Sequence, residues 1–184
     1  MTHARNDGPP AATSALELNG ICRRFGRRWV LRGIDLQLAR GETLGLMGRN
    51  GSGKTTLLRI ISTALKPTRG SGRVFGHDLV READAVRERV GVLGHAPGLY
   101  EDLTGEENLR FALGMLGWTP DARRIADLLE RVGLAGVRER VRAYSAGMRR
   151  RLALARVLMV RPDLLLLDAP FARFDEEGLT LVCD

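Results

Sequence analysis

Residues 48–56 read Gly-Arg-Asn-Gly-Ser-Gly-Lys-Thr-Thr, a complete G-x-x-x-x-G-K-[ST] pattern with three glycines. This loop constrains the chain more than anything else in it, because such a loop needs a strand before it and a helix after it. Gly48, Gly51 and Gly53 allow left-handed backbone, so successive N–H groups can point at phosphate oxygens without Cβ clashes. Lys54 places a positive charge at the β/γ-phosphates, and Thr55 offers a hydroxyl to Mg²⁺. Arg49, Asn50 and Ser52 complete the loop. Thr55, Thr56 and the apolar residues that follow read as a helix whose N-terminus adds further donors and a favourable dipole. The preceding apolar stretch 43–47, Thr-Leu-Gly-Leu-Met, reads as the strand. The ligand implied is a nucleoside triphosphate with Mg²⁺.

At 184 residues and 44% hydrophobic content, the chain fits one domain with a real core. Its longest strictly apolar runs, such as the four leucines 164–167, fall far short of the ~18 residues that span a bilayer. Residues 1–14 lack the apolar core of a signal peptide and read as a polar leader. Cys22 and Cys183 have no metal-type spacing and fit a reducing compartment. The net charge of +7 comes from scattered arginine pairs and from Arg149, Arg150 and Arg151, without aromatic interleaving or a DNA-reading motif. A solvated basic surface is therefore expected, and no nucleic-acid partner.

Two β-like runs, 16–22 and 30–38, flank a basic turn at 23–28, and residues 34–38 alternate as a half-buried strand does. After the loop and its helix, the breaker cluster 66–72 returns the chain to a short strand at 73–75. From about 82 to 160 the pattern turns helical, interrupted by a strand at 90–93. Leu109, Ala112, Leu113 and Leu116 share one helical face, and Ile125, Leu128, Leu129 and Val132 another. Pro120 separates the two helices and Gly133 closes the second. Ser145 is placed to cap a last helix, which stops before Arg161 and Pro162. The strand 164–167 then ends on Asp168, which alone could be a helix cap or turn residue but, downstream of a phosphate loop, reads as the aspartate that holds the metal opposite the loop threonine.

Four motifs in one order and spacing carry a family resemblance: GRNGSGKTT at 48–56, LYEDLTGEENL at 99–109, YSAGMRRRLALAR at 144–156 and LLLLDAP at 164–170. Together they resemble the nucleotide-binding domain of the ATP-binding cassette (ABC) transporter family over roughly residues 16–178. The narrower likeness is to haem-exporter ATPases of cytochrome c maturation and to multidrug-type exporters. The resemblance implies an α/β P-loop NTPase fold with a parallel core sheet, an N-terminal antiparallel β subdomain and a helical subdomain at about 82–160, all within 15–184. It implies ATP and Mg²⁺ as ligands, a second nucleotide-binding domain as dimer partner, and permease subunits that hold the chain at the cytoplasmic face of the membrane.

Residue by residue, the resemblance places Ser145, Ala146, Gly147 and Met148 in the signature that touches the γ-phosphate held by the partner domain. A capped helix start suits that role, since its free N–H groups and the serine hydroxyl form an anion clamp. Phe25 falls where the family stacks an aromatic on adenine, a term of about 1–3 kcal/mol. His95 stands in place of the glutamine that touches metal and attacking water. Asp175 matches the aspartate of the loop crossing the dimer seam. Ala169 takes the position of the glutamate that polarises the attacking water. General-base assistance is worth ~10²–10⁴-fold, or about 3–5 kcal/mol of barrier, so the resemblance implies slow hydrolysis with binding retained. The chain ends at Asp184, before the family's histidine-bearing strand, which implies a truncated C-terminal core. Alternative readings are a non-hydrolysing, ATP-dependent dimerisation switch or a soluble ABC protein.

Overall fold

The computed structural model describes residues 14–94 and 98–168. The chain divides into two compact units, Met1–Val90 and Gly91–Asp184.

The first unit is built on a four-stranded sheet of order β2-β1-β3-β4, with β1 at Ser14–Phe25, β2 at Arg28–Ala39, β3 at Arg69–Val74 and β4 at His77–Asp78. All of its pairings are antiparallel. β1 begins at Ser14, which is buried, so the ordered sheet reaches one residue into the expected leader. The hairpin is tighter than the sequence suggested. Phe25 pairs with Arg28, so only Gly26 and Arg27 form the turn, and Arg23 and Arg24 lie in the strand. In β2 the expected alternation holds: Leu38 is buried and Ile34 and Leu36 half-buried, while Asp35 and Gln37 face out. Helix α1, Lys54–Ile61, buries Leu57, Ile60 and Ile61. A second helix, α2 at Ala83–Arg89, buries Val86 and closes the unit.

One expected strand is not formed. Residues 43–47 belong to no strand, with Leu44 43% and Met47 96% exposed. A strand exists only where neighbouring backbone accepts and donates its ladder bonds, and the described residues give this segment no such neighbour. Its apolar composition is a necessary condition, not a sufficient one.

The second unit pairs β5, Val90–Leu93, with β6, Leu164–Leu167, and packs three helices: α3 at Gly105–Met115, α4 at Ala122–Arg131 and α5 at Ala146–Leu158. The predicted stripes form its core. Leu109, Leu113, Ile125, Leu128 and Val132 cluster with Leu134, Val141, Tyr144, Leu152, Ala155 and Met159, and Ala112 and Leu129 pack on the margin. Leu116 does not join them. It follows the last turn of α3 and is 56% exposed, because the helix ends one residue before the stripe does. α5 is apolar on two sides: Leu152, Ala155 and Met159 face the helices, while Ala153, Leu154 and Val157 pack with Leu93 and against Leu165 and Leu167. Gly133, at φ 63°, ends α4 as expected, its N–H donating to Glu130 O at 2.9 Å.

Candidate functional site

The phosphate loop sits in the first unit. Its glycines take φ values of 149° (Gly48), 79° (Gly51) and 101° (Gly53), a region side-chain-bearing residues rarely enter. Space is as restrictive as torsion. A Cβ on Gly53 would lie 2.7 Å from Leu31 Cδ2 of β2, and one on Gly48 would lie 2.8 Å from Ser52 Oγ. The loop is thereby pressed against β2 and turned back on itself, with Ser52 N–H donating to Arg49 O at 3.1 Å. Gly53 caps α1 in left-handed conformation, and Leu57 N–H donates back to Gly53 O at 2.8 Å. Lys54 Nζ donates to Gly48 O at 2.6 Å and Arg49 O at 3.1 Å, so the ammonium is held over the loop mouth. Residues 48–52 and Thr55 are exposed, and the first turn of α1 contains no acidic residue. A concave run of amides, a helix N-terminus and one ammonium fit a polyphosphate.

Phe25 ends β1, 47% exposed, with the Arg23 guanidinium 4.6 Å from its ring centroid. Arg23 is in turn held by a 2.9 Å bond from Nη1 to Lys66 O.

The second unit holds the other described site residues. Ser145 caps α5, its Oγ accepting from Met148 N–H at 3.1 Å. By helix geometry the Ala146 and Gly147 amides belong to the first turn, which has no acidic residue to compete for them. The turn before α5, Val141–Ala143, fixes its entry: Val141 N–H donates to Leu103 O and Arg142 N–H to Glu101 O, both at 2.9 Å. Tyr144 is buried beside it. Burial pushes its phenol pKa up, with the Gly105 backbone pulling the other way, so the hydroxyl stays protonated. Asp168 leaves the end of β6, its N–H donating to Leu93 O at 2.9 Å. Thr55 and Asp168 thus stand on different units, the former on a helix start and the latter at a strand end. His95, Ala169 and Asp175 lie outside the described residues.

Three features escaped the sequence reading. Asn108, only 2% exposed, pins the 100–104 loop: Oδ1 accepts from Tyr100 N–H at 2.8 Å, and Nδ2 donates to Tyr100 O at 3.0 Å and Thr104 O at 2.9 Å. Thr104 and Glu107 form a capping box at the start of α3, a T-x-x-E spacing that was visible in the sequence. Arg150 is buried at 5% exposure, although its neighbours Arg149 and Arg151 resemble it in every sequence property.

A phosphate loop pressed between an antiparallel sheet and its helix, with a serine-capped helix and a strand-end aspartate downstream, defines the class of P-loop NTPases. A family profile described as ABC transporter matches residues 31–172, and the chain belongs to that family. It is 46% identical over 176 residues to the daunorubicin resistance ATP-binding protein DrrA3 of Streptomyces coeruleorubidus, covering 94% of this chain and 56% of that one. Over 158 residues it is 39% identical to the cytochrome c biogenesis ATP-binding export protein CcmA of Methylococcus capsulatus, covering 85% of this chain and 76% of that one. A solved ATP-binding subunit of an ABC transporter superposes with TM-score 0.79 at 28% identity, over 91% of this chain and 71% of that one. The chain spans about half the length of the drug-resistance relatives it matches, 56% and 53% for two of them. Among the described residues no helix is long and apolar enough to cross a membrane.

Proposed function

We propose that this chain is the ATP-binding subunit of an ABC exporter, binding Mg-ATP and working with membrane-embedded permease subunits. The observation that carries the reading is the geometry of residues 48–56, where Lys54 stands over a glycine loop that leads directly into α1. Gly48, Arg49, Asn50, Gly51, Ser52, Gly53, Lys54, Thr55 and Thr56 bind the phosphates, and Phe25 stacks on the base. Thr55 and Asp168 hold Mg²⁺, which neutralises the charge of the β/γ-phosphates when bound. Ser145, Ala146, Gly147 and Met148 reach the nucleotide of a second copy, because a serine-capped helix start suits a γ-phosphate presented from outside the subunit. By family resemblance His95 takes the role of the residue that touches metal and attacking water, and Asp175 that of the dimer-seam aspartate. The likeness to drug-resistance and haem-export ATPases favours export over import. Tyr100 and Phe111, stacked edge to face at 4.6 Å and both exposed, offer a permease segment an aromatic foothold on the second unit. A peripheral position at the membrane follows from those partners.

Ala169 favours slow turnover, and in the limit a switch that closes on ATP and opens without efficient hydrolysis. The nucleotide reading is tested by calorimetry on the full chain. ATP affinity falls at least tenfold in Lys54→Ala, and equal affinities for parent and variant would remove the proposal.

A further inference from the structure

α5 grips the backbone of its own unit through two arginines that donate to main-chain carbonyls. Arg150, 5% exposed, donates from Nη1 to Gly94 O at 2.8 Å and from Nη2 to Asp168 O at 3.3 Å. Gly94 directly follows β5 and Asp168 directly follows β6, so one planar guanidinium bridges the exits of both strands. Arg156, half-buried, donates from Nη1 to Gly98 O. Gly98 has φ +59°, and a Cβ there would lie 2.9 Å from Arg156 Nη2, so the arginine lies flat against that backbone. β5 itself runs hard against α5, where a Cβ on Gly91 would come within 2.6 Å of Val157 Cγ1.

The arrangement is more than burial of a convenient cation. A guanidinium presents donors in a fixed fork and can satisfy two carbonyls at once, which an ammonium cannot do in the same plane. A charge buried to this degree is retained only where such bonds compensate its lost hydration. The ion pairs to the loop before α3, one from α5 and one from the turn that precedes it, are weaker in kind. Arg149 to Glu101 at 3.2 Å joins side chains 34% and 64% exposed, and Arg142 to Asp102 at 3.4 Å joins side chains 61% and 81% exposed. Solvent screens both.

The geometry points to Arg150 and Arg156 as positioning residues that fasten α5, the helix Ser145 caps, to the exits of β5 and β6 and to Gly98, so that these backbones and the capped helix move as one body. This rests on the reading of Ser145 as a phosphate clamp. When that helix start engages a nucleotide, the displacement is delivered to Gly94 and Gly98, on the two sides of position 95, and to the backbone just before position 169. Nucleotide contact at one end of α5 is thereby felt in the described backbone at Gly94, Gly98 and Asp168.

The test is amide hydrogen exchange of the full chain with and without Mg-ATP, read over residues 48–56, 98–104 and 144–158, with ATP affinity measured alongside. In the parent, Mg-ATP slows exchange in all three regions. In Arg156→Met, which keeps the aliphatic stem of a half-buried side chain, ATP affinity and the 48–56 response stay within twofold of the parent. Residues 98–104 exchange at least threefold faster without nucleotide and lose their Mg-ATP response. Arg156→Lys, which retains one donor toward Gly98 O, recovers most of that response. Arg150→Met produces the same uncoupling at residues 163–168. A 98–104 segment that responds to Mg-ATP in Arg156→Met as it does in the parent overturns the relay alone. A parent that gives no Mg-ATP response at 48–56 removes the nucleotide reading, and the relay with it.

Discussion

Gly70 and Gly76 have nearly the same φ, +87° and +85°, yet their surroundings differ completely. A Cβ on Gly70 would lie 2.4 Å from Gly20 O and 2.7 Å from Asn19 O, where β3 crosses the irregular register of β1 between Asn19 and Cys22. A Cβ on Gly76 meets nothing within 4 Å. Gly76→Ala therefore incurs only the torsional strain, about 1 kcal/mol, whereas Gly70→Ala adds an overlap with main chain that cannot rotate away, for a total of about 3 kcal/mol or more. Urea denaturation of the two variants beside the parent measures the difference, and equal losses would show that β1 yields where the geometry says it cannot. At this scale the backbone of the phosphate loop was legible, because its left-handed turns fall on the glycines Gly48, Gly51 and Gly53, close together in the chain. Arg150 was not legible. Its carbonyl partners lie 56 and 18 residues away, and nothing local separates it from Arg149 or Arg151.

Elements were legible where their own residues decide them. β5 and β6 fall where predicted, and α5 begins after Ser145 as its cap requires. The segment 43–47 is the counterexample, since a strand needs partners that composition cannot supply. α3 shows a helix start set by a pair of side chains: Glu107 N–H donates to Thr104 Oγ1 at 3.2 Å, and Thr104 N–H donates to Glu107 Oε2 at 2.8 Å. Thr104→Ala removes the cap and lowers stability by about 1 kcal/mol at neutral pH. The bond from Thr104 N–H, and then the one to its side chain, hold the Glu107 carboxyl below its usual range. A depressed folded pKa contributes stability that is complete above the unfolded value and is lost as pH falls through the folded one. Thermal melts at pH 7 and near pH 3.5 therefore show the parent losing this contribution on acidification. Glu107→Gln, whose amide oxygen still accepts the Thr104 N–H, lacks that part of the pH dependence, and an unchanged pH profile in Glu107→Gln would assign the acid sensitivity to other carboxylates.

For the whole molecule the proposed function raises the question of what ATP does once bound, and on that reading Ala169 separates two behaviours that share every upstream contact. On the proposed reading, with phosphate loop, Lys54 and capped α5 serving the nucleotide, affinity and dimer closure do not depend on a group at position 169. Cleavage does, because the attacking water must lose a proton as it bonds to phosphorus, and alanine offers no acceptor. Mg-ATP then leaves the parent in a long-lived closed dimer, while Ala169→Glu supplies the missing base and raises turnover by ~10²-fold or more. That gain corresponds to about 3 kcal/mol of barrier, within what one positioned carboxylate provides. Light scattering and phosphate release, followed together on the full chain, distinguish the cases. The parent dimerises on Mg-ATP and stays dimeric with little phosphate released. Ala169→Glu dimerises and then returns to monomer as its ATP is consumed. Equal phosphate release from both would mean that another group already activates the water. Position 95 is then the residue to substitute, since imidazole carries a nitrogen that can accept a proton.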